Sequence, residues 1–125
     1  MARALRVFLV DDEPDVLTML DRVLSLGGCD VAAKASDAHS AIDLTIDLRA
    51  DVAVVDYALP DGDGIAVAEA IKSKSRDTYV ILFSAQPVGA IALENPAVDR
   101  FLSKVEVSRL SDVLEEIARE RGLAV

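Results

Sequence analysis

Three carboxylates, a hydroxyl and an amine recur at one kind of place in this sequence, the end of an apolar run. Asp11 and Asp12 follow the run 5–10, and Asp56 falls in the run that starts at Val52. Ser84 follows the run 79–83, and Lys104 comes just after the run 100–102. Three carboxylates brought together repel, so at least one should resist ionisation. A divalent cation removes that conflict. Hard oxygen ligands, few in number and completed by water, suit Mg2+ better than zinc or copper. A metal beside a carboxylate, a hydroxyl and a lysine is a set of parts for phosphoryl transfer. The metal neutralises equatorial charge, Lys104 offsets another oxygen and Ser84 donates a hydrogen bond. The free carboxylate, Asp56, is then a nucleophile that can hold a phosphoryl group.

Those residues need a scaffold that brings strand ends together. Apolar runs at 5–10, 31–35, 52–57, 79–83 and 100–102 are apolar at successive positions, without strict alternation. Such runs suit strands of a parallel sheet covered on both faces. The first, third and fourth fit best, being rich in β-branched and aromatic residues. Between them lie helix-period segments. Val16, Leu17, Leu20, Val23 and Leu24 form one stripe, punctuated by Pro14 and by Gly27-Gly28. Ala41, Ile42, Leu44, Thr45 and Leu48 form a second, with Ser36 or Asp37 as N-cap. Ile65, Ala68 and Ile71 form a third, and Leu110, Val113, Leu114 and Ile117 the last, stopped by Gly122. Pro87, Gly89 and Pro96 interrupt the segment before Arg100, so the helix there should be short or irregular. Strands alternating with helices predict an α/β domain with an open, doubly wound, five-stranded parallel sheet. In such sheets the site lies beyond the carboxyl ends of the strands.

Composition bounds the rest. The 125 residues are one domain's worth of chain, and the whole span 1–125 reads as a single domain. Hydrophobic residues make up 52% but aromatics only 4%, so the core must be aliphatic. Thirteen basic residues against twenty-two acidic give a net charge of −9, which argues against direct contact with nucleic acid or an anionic membrane. A lone cysteine, Cys29, leaves no internal disulfide framework and points to a reducing, cytoplasmic setting. Cys29 reads as a small buried hydrophobe. His39 reads as a solvent-exposed residue on a polar helix face. Asp61-Gly62-Asp63-Gly64 reads as a turn feeding a helix N-terminus, since it lacks the acid pattern and terminal Glu of a calcium loop.

Four segments together resemble the receiver domain of two-component response regulators: Val7-Phe8-Leu9-Val10-Asp11-Asp12-Glu13, Val54-Val55-Asp56-Tyr57-Ala58-Leu59-Pro60-Asp61-Gly62-Asp63-Gly64, Ile81-Leu82-Phe83-Ser84-Ala85, and Phe101-Leu102-Ser103-Lys104. Each is weak alone; their order and spacing carry the likeness. The resemblance implies a flavodoxin-like sheet of strand order 2-1-3-4-5. It makes Asp56 the phosphoacceptor and a metal ligand, Asp12 a direct Mg2+ ligand, and Asp11 an acid acting through metal-bound water. The backbone carbonyl of Ala58 becomes a further ligand. Ser84 becomes the switch hydroxyl, Lys104 the lysine of the site, and Phe101 the switch aromatic. The implied partners are a sensor histidine kinase or histidine phosphotransfer protein, and a downstream target protein or an output domain outside this chain. The implied chemistry is self-phosphorylation and self-dephosphorylation, without turnover of a separate substrate.

One departure concerns Lys104. Val105 stands where relatives usually carry a proline joined by a cis peptide, so the loop either bears the roughly 2.5–4 kcal/mol of a non-proline cis bond or takes another path. Two other functions stay open at this stage. A degenerate receiver would act as a phosphorylation-independent interaction module. A Mg2+-dependent phosphatase with an Asp nucleophile would typically carry a second Asp two residues on, where this chain has Ala58.

Overall fold

The three best strand candidates become the inner strands of the sheet because their alternate side chains are buried on opposite faces. The computed structural model describes residues 2–124. The order of elements is β1 (Arg6–Val10), α1 (Pro14–Leu26), β2 (Asp30–Ala35), α2 (Ala38–Leu44), β3 (Val52–Val55), β4 (Ala58–Leu59), β5 (Gly62–Asp63), α3 (Gly64–Lys74), β6 (Tyr79–Ser84), α4 (Gly89–Leu93), β7 (Arg100–Ser103) and α5 (Val107–Glu120). The main sheet runs β2-β1-β3-β6-β7, all parallel. That is the expected 2-1-3-4-5 order once the small antiparallel hairpin β4–β5 is set aside. The hairpin lies in the stretch that reads from sequence as a plain turn.

Val7, Leu9, Val52, Val54, Ile81 and Phe83 pack on one side with Leu20 and Leu24 of α1 and Leu110, Val113, Leu114 and Ile117 of α5. Phe8, Val10, Ala53, Val55, Val80 and Leu82 pack on the other with Ala38 and Ala41 of α2, Val67, Ala68 and Ile71 of α3, and Ala92 of α4. Burial on both faces removes the need for polar alternation in the inner strands. β2 is an edge strand, and most of its residues are only partly covered.

Two helix readings and one burial reading need correction. The second helix stops at Leu44, leaving Leu48 outside it, with Ile42 and Leu44 at the exposed margin. The Thr45 hydroxyl donates to the Ile42 carbonyl at 2.6 Å, a local bond that competes with continuing the ladder. In α3 Ala68 and Ile71 are buried as expected, but Val67 is buried with them, while Ile65 is only half-buried. Cys29 is half-buried rather than buried, against the α1–α5 side of the core. Burial there pushes its thiol pKa up, with Glu115 adding to the effect. Other readings hold. Asp37 is the N-cap of α2, accepting from the Ser40 amide at 2.7 Å. His39 is exposed and faces Asp43 one turn on, at 3.5 Å. α4 is a five-residue helix.

At the amino ends of the strands, Asp51 ties the chain start to β3. Its carboxylate accepts two bonds from the Arg3 guanidinium, at 2.6 and 2.8 Å, and one from the Arg6 amide at 2.8 Å. The Arg3 hydrogen bond holds the Asp51 carboxyl below its usual range, outweighing the opposing effect of burial. A carboxyl depressed in the folded state stabilises above the unfolded pKa of about 4, and that contribution fades as pH falls through the folded value. Asp51→Ala should therefore lower the unfolding free energy at neutral pH by about 1–3 kcal/mol, the range for stranding a buried donor. Denaturant titrations should show the gap from wild type narrowing below about pH 4. A gap that stays constant with pH would contradict this role.

Candidate functional site

The parallel ladder itself carries the site residues to one place. Just past β1, the Asp11 amide donates to the Ala35 carbonyl at 3.0 Å. Just past β3, the Asp56 amide donates to the Val10 carbonyl at 2.9 Å. Just past β7, the Lys104 amide donates to the Ser84 carbonyl at 3.0 Å. Each bond extends a strand pairing by one residue, so these side chains leave the sheet at the same level. Ser84 is the last residue of β6 and is 1% exposed.

The ammonium of Lys104 lies 2.8 Å from Asp11 Oδ2, 2.9 Å from Asp56 Oδ2 and 3.2 Å from Glu13 Oε1. Every described peptide bond is trans, and Val105 is 90% exposed. Lys104 thus reaches the acids by another path than a cis bond, with Val105 turned to solvent. Burial alone would push the Lys104 pKa down, but the hydrogen bonds to Asp11 and Asp56 outweigh it and hold the amine above its usual range. Asp11 is 2% exposed, and burial pushes its carboxyl up. The Asp56 charge adds to that rise, while Lys104 and the Glu13 amide pull the other way.

Asp11, Asp12, Glu13 and Asp56 each offer a carboxylate oxygen, and these atoms all lie within 4.8 Å of one another. Four acids with one facing lysine form a hard-oxygen donor set that fits a divalent cation. Two of them, Asp11 and Asp56, are buried, while Asp12 and Glu13 are exposed. Asp12, Glu13, Asp56, Ala58, Ser84, Ala85, Gln86 and Lys104 border an open cavity of about 220 Å3. Glu13 had no role in the sequence reading. Its place directly after the two aspartates was the signal available.

Two local features fix the loop beyond Asp56. A Cβ on Gly64 would lie 2.2 Å from the Asp56 carbonyl oxygen, so only glycine lets α3 start this close to β3. The Gly64 amide also donates to the Tyr57 carbonyl at 2.7 Å. Phe101 is not part of the cavity wall. It is half-buried on β7, against the α2–α4 side of the core. A Cβ on Gly89 would stand 3.1 Å from its ring, which places the ring directly under α4.

The family model of the response regulator receiver domain matches residues 7–115. The chain belongs to that family. It is 35% identical over 127 residues to the protein-glutamate methylesterase/protein-glutamine glutaminase of Haloarcula marismortui, covering 94% of this chain and 34% of that protein. It is 32% identical over 120 residues to the transcriptional regulatory protein PrrA of Mycobacterium tuberculosis, covering 94% of this chain and 51% of PrrA. The chain therefore spans a third to a half of these curated relatives. Among solved structures, the signal receiver domain of NarL from Mycobacterium tuberculosis superposes with a TM-score of 0.77 at 33% identity, covering 90% of this chain and 98% of that one.

Removing the ammonium should leave Asp11 facing Asp56 without compensation. In metal-free protein, Lys104→Met should raise the Asp11 titration midpoint further, read by carboxyl-carbon NMR. An unchanged or lowered midpoint would contradict the ion-pair geometry.

Proposed function

We propose that the chain is a Mg2+-dependent phosphoacceptor switch in which Asp56 receives a phosphoryl group. The observation that carries this reading is the Asp56 carboxylate itself. It is buried but borders an open cavity, held by Lys104 at 2.9 Å, within a cluster of hard oxygen donors. The donor is a sensor histidine kinase, a histidine phosphotransfer protein or a small phosphodonor. An Asp56 carboxylate oxygen forms the new bond to phosphorus. The donor's bond to phosphorus breaks, and its electron pair leaves with the donor.

Asp12 and Asp56 would hold Mg2+ directly, Asp11 through water, and the Ala58 carbonyl would complete the protein ligands. When bound, the metal supplies charge neutralisation for the transferring oxygens. Lys104 pairs with another phosphoryl oxygen, exchanging part of its contact with Asp56 and Asp11. The Ser84 hydroxyl now accepts from the Gln86 amide at 3.2 Å, which leaves its proton free to donate to the new dianion. Movement of Ser84 toward the phosphoryl group opens room on the β6–β7 side. Phe101, under α4, is the group placed to turn inward and report the change.

The domain performs its own phosphorylation and dephosphorylation and turns over no separate substrate. Residues 1–125 act as one receiver domain, and its effect passes to a target protein or an output domain. The net charge of −9 supports a domain that does not itself touch nucleic acid or anionic lipid. No described helix is long and apolar enough to cross a membrane. A reducing, cytoplasmic setting fits a chain with one cysteine.

Mass spectrometry after incubation with Mg2+ and a small phosphodonor tests the assignment. Wild type should gain one phosphate and Asp56→Asn none. Equal incorporation in both would remove Asp56 from its role.

A further inference from the structure

The hairpin β4–β5 is a two-residue ladder, Ala58 opposite Asp63 and Leu59 opposite Gly62. So short a ladder does not hold itself in water. Its base is fixed by the Gly64 amide on Tyr57 and by Asp63, which caps α3 by accepting from the Ala66 amide at 2.9 Å. Its tip is fixed differently. Asp61 Oδ1 accepts from the Ala38 amide at 2.7 Å, and Oδ2 from the His39 amide at 2.9 Å. These are first-turn amides of α2, which have no partner inside the helix. The side chain of the helix's own cap, Asp37, serves only Ser40. The N-terminus of α2 is thus capped from two segments, and one of them is the loop that follows the acceptor aspartate. Gly62 permits the approach, since a Cβ there would lie 3.3 Å from the Ala38 Cβ.

We propose that Asp61 is a positioning residue for the acceptor site: by tying the hairpin tip to α2, it sets the place of the Ala58 carbonyl beside Asp56. The proposal rests on the phosphoacceptor reading for its functional consequence, but not for the tether. Each carboxylate oxygen takes one donor, so Asn keeps one acceptor where Asp has two, and Ala keeps none. Asp37→Ala is the matched control, because it weakens α2 without touching the hairpin.

Two readouts separate positioning from mere helix stability. In metal-free protein, amide hydrogen exchange by NMR should speed up at least about tenfold across the hairpin and at Gly64 in Asp61→Ala, since both tether hydrogen bonds are lost and one alone is worth about that much. Asp37→Ala should leave those amides near wild type. The Mg2+ midpoint for phosphodonor-driven labelling should rise about tenfold in Asp61→Ala, as for other groups that orient metal ligands. It should rise less in Asp61→Asn and stay unchanged in Asp37→Ala. Unchanged hairpin exchange in Asp61→Ala overturns the tether. Equal shifts in Asp37→Ala, or an unmoved Mg2+ midpoint in Asp61→Ala, overturn the positioning role. A wild type that takes up no phosphate sinks the phosphoacceptor reading instead, and the exchange arm still decides the tether.

Discussion

Lys104 brings one positive charge to Asp11, Glu13 and Asp56, and two of those acids are buried. One ammonium does not neutralise them, and Asp12 adds a fourth carboxylate within reach of the same point. Buried like charges at this separation are costly unless something compensates. Burial, with the Asp56 charge adding to it, pushes the Asp11 carboxyl up, and the hydrogen bonds to Asp11 and Asp56 hold Lys104 protonated. A divalent cation with Lys104 would balance the three aspartates at the strand ends. On the proposed reading, part of the net charge of −9 is a divalent-cation site counted without its cation.

The fold keeps that charge in place by means that have nothing to do with charge. Parallel strands buried on both faces are set in register by their aliphatic side chains, and a shift of register would expose them. The register fixes where Asp11, Asp56 and Lys104 leave the sheet, because each donates its amide to the neighbouring strand. Gly64 lets α3 begin against the Asp56 carbonyl, and Asp63 and Asp61 fasten the intervening hairpin to two helices. Packing thus supplies the rigidity that lets unfavourable charges sit side by side.

The inner strands were legible because burial on both faces leaves an uninterrupted apolar run, as at Val52–Val55. The three aspartates of the cluster were legible because they close such runs, whereas Glu13, the fourth acid, was not. What could not be read depends on contacts between distant segments. Asp61 resembled an ordinary turn residue, and its partners, the Ala38 and His39 amides, are separated from it by the rest of α2 and by β3 and β4. Asp51 and Arg3 meet only because β1 and β3 are neighbours. The early end of α2 came from a side-chain bond at Thr45 that competes with the helix, which apolar periodicity does not register. Val105 showed the opposite limit. The missing proline suggested a difficulty for Lys104, yet its ammonium reaches both buried aspartates through trans peptides.

The central claim is that the acid cluster is a divalent-cation site whose charge conflict the metal relieves. Isothermal calorimetry with Mg2+, paired with thermal unfolding, tests it most directly. Wild type should bind one Mg2+ and unfold at a higher temperature when saturated, since a ligand bound only to the folded state stabilises it. Asp12→Ala, which removes an exposed ligand without disturbing the core, should lose both responses. Absence of binding by wild type, or equal binding by Asp12→Ala, would contradict the account.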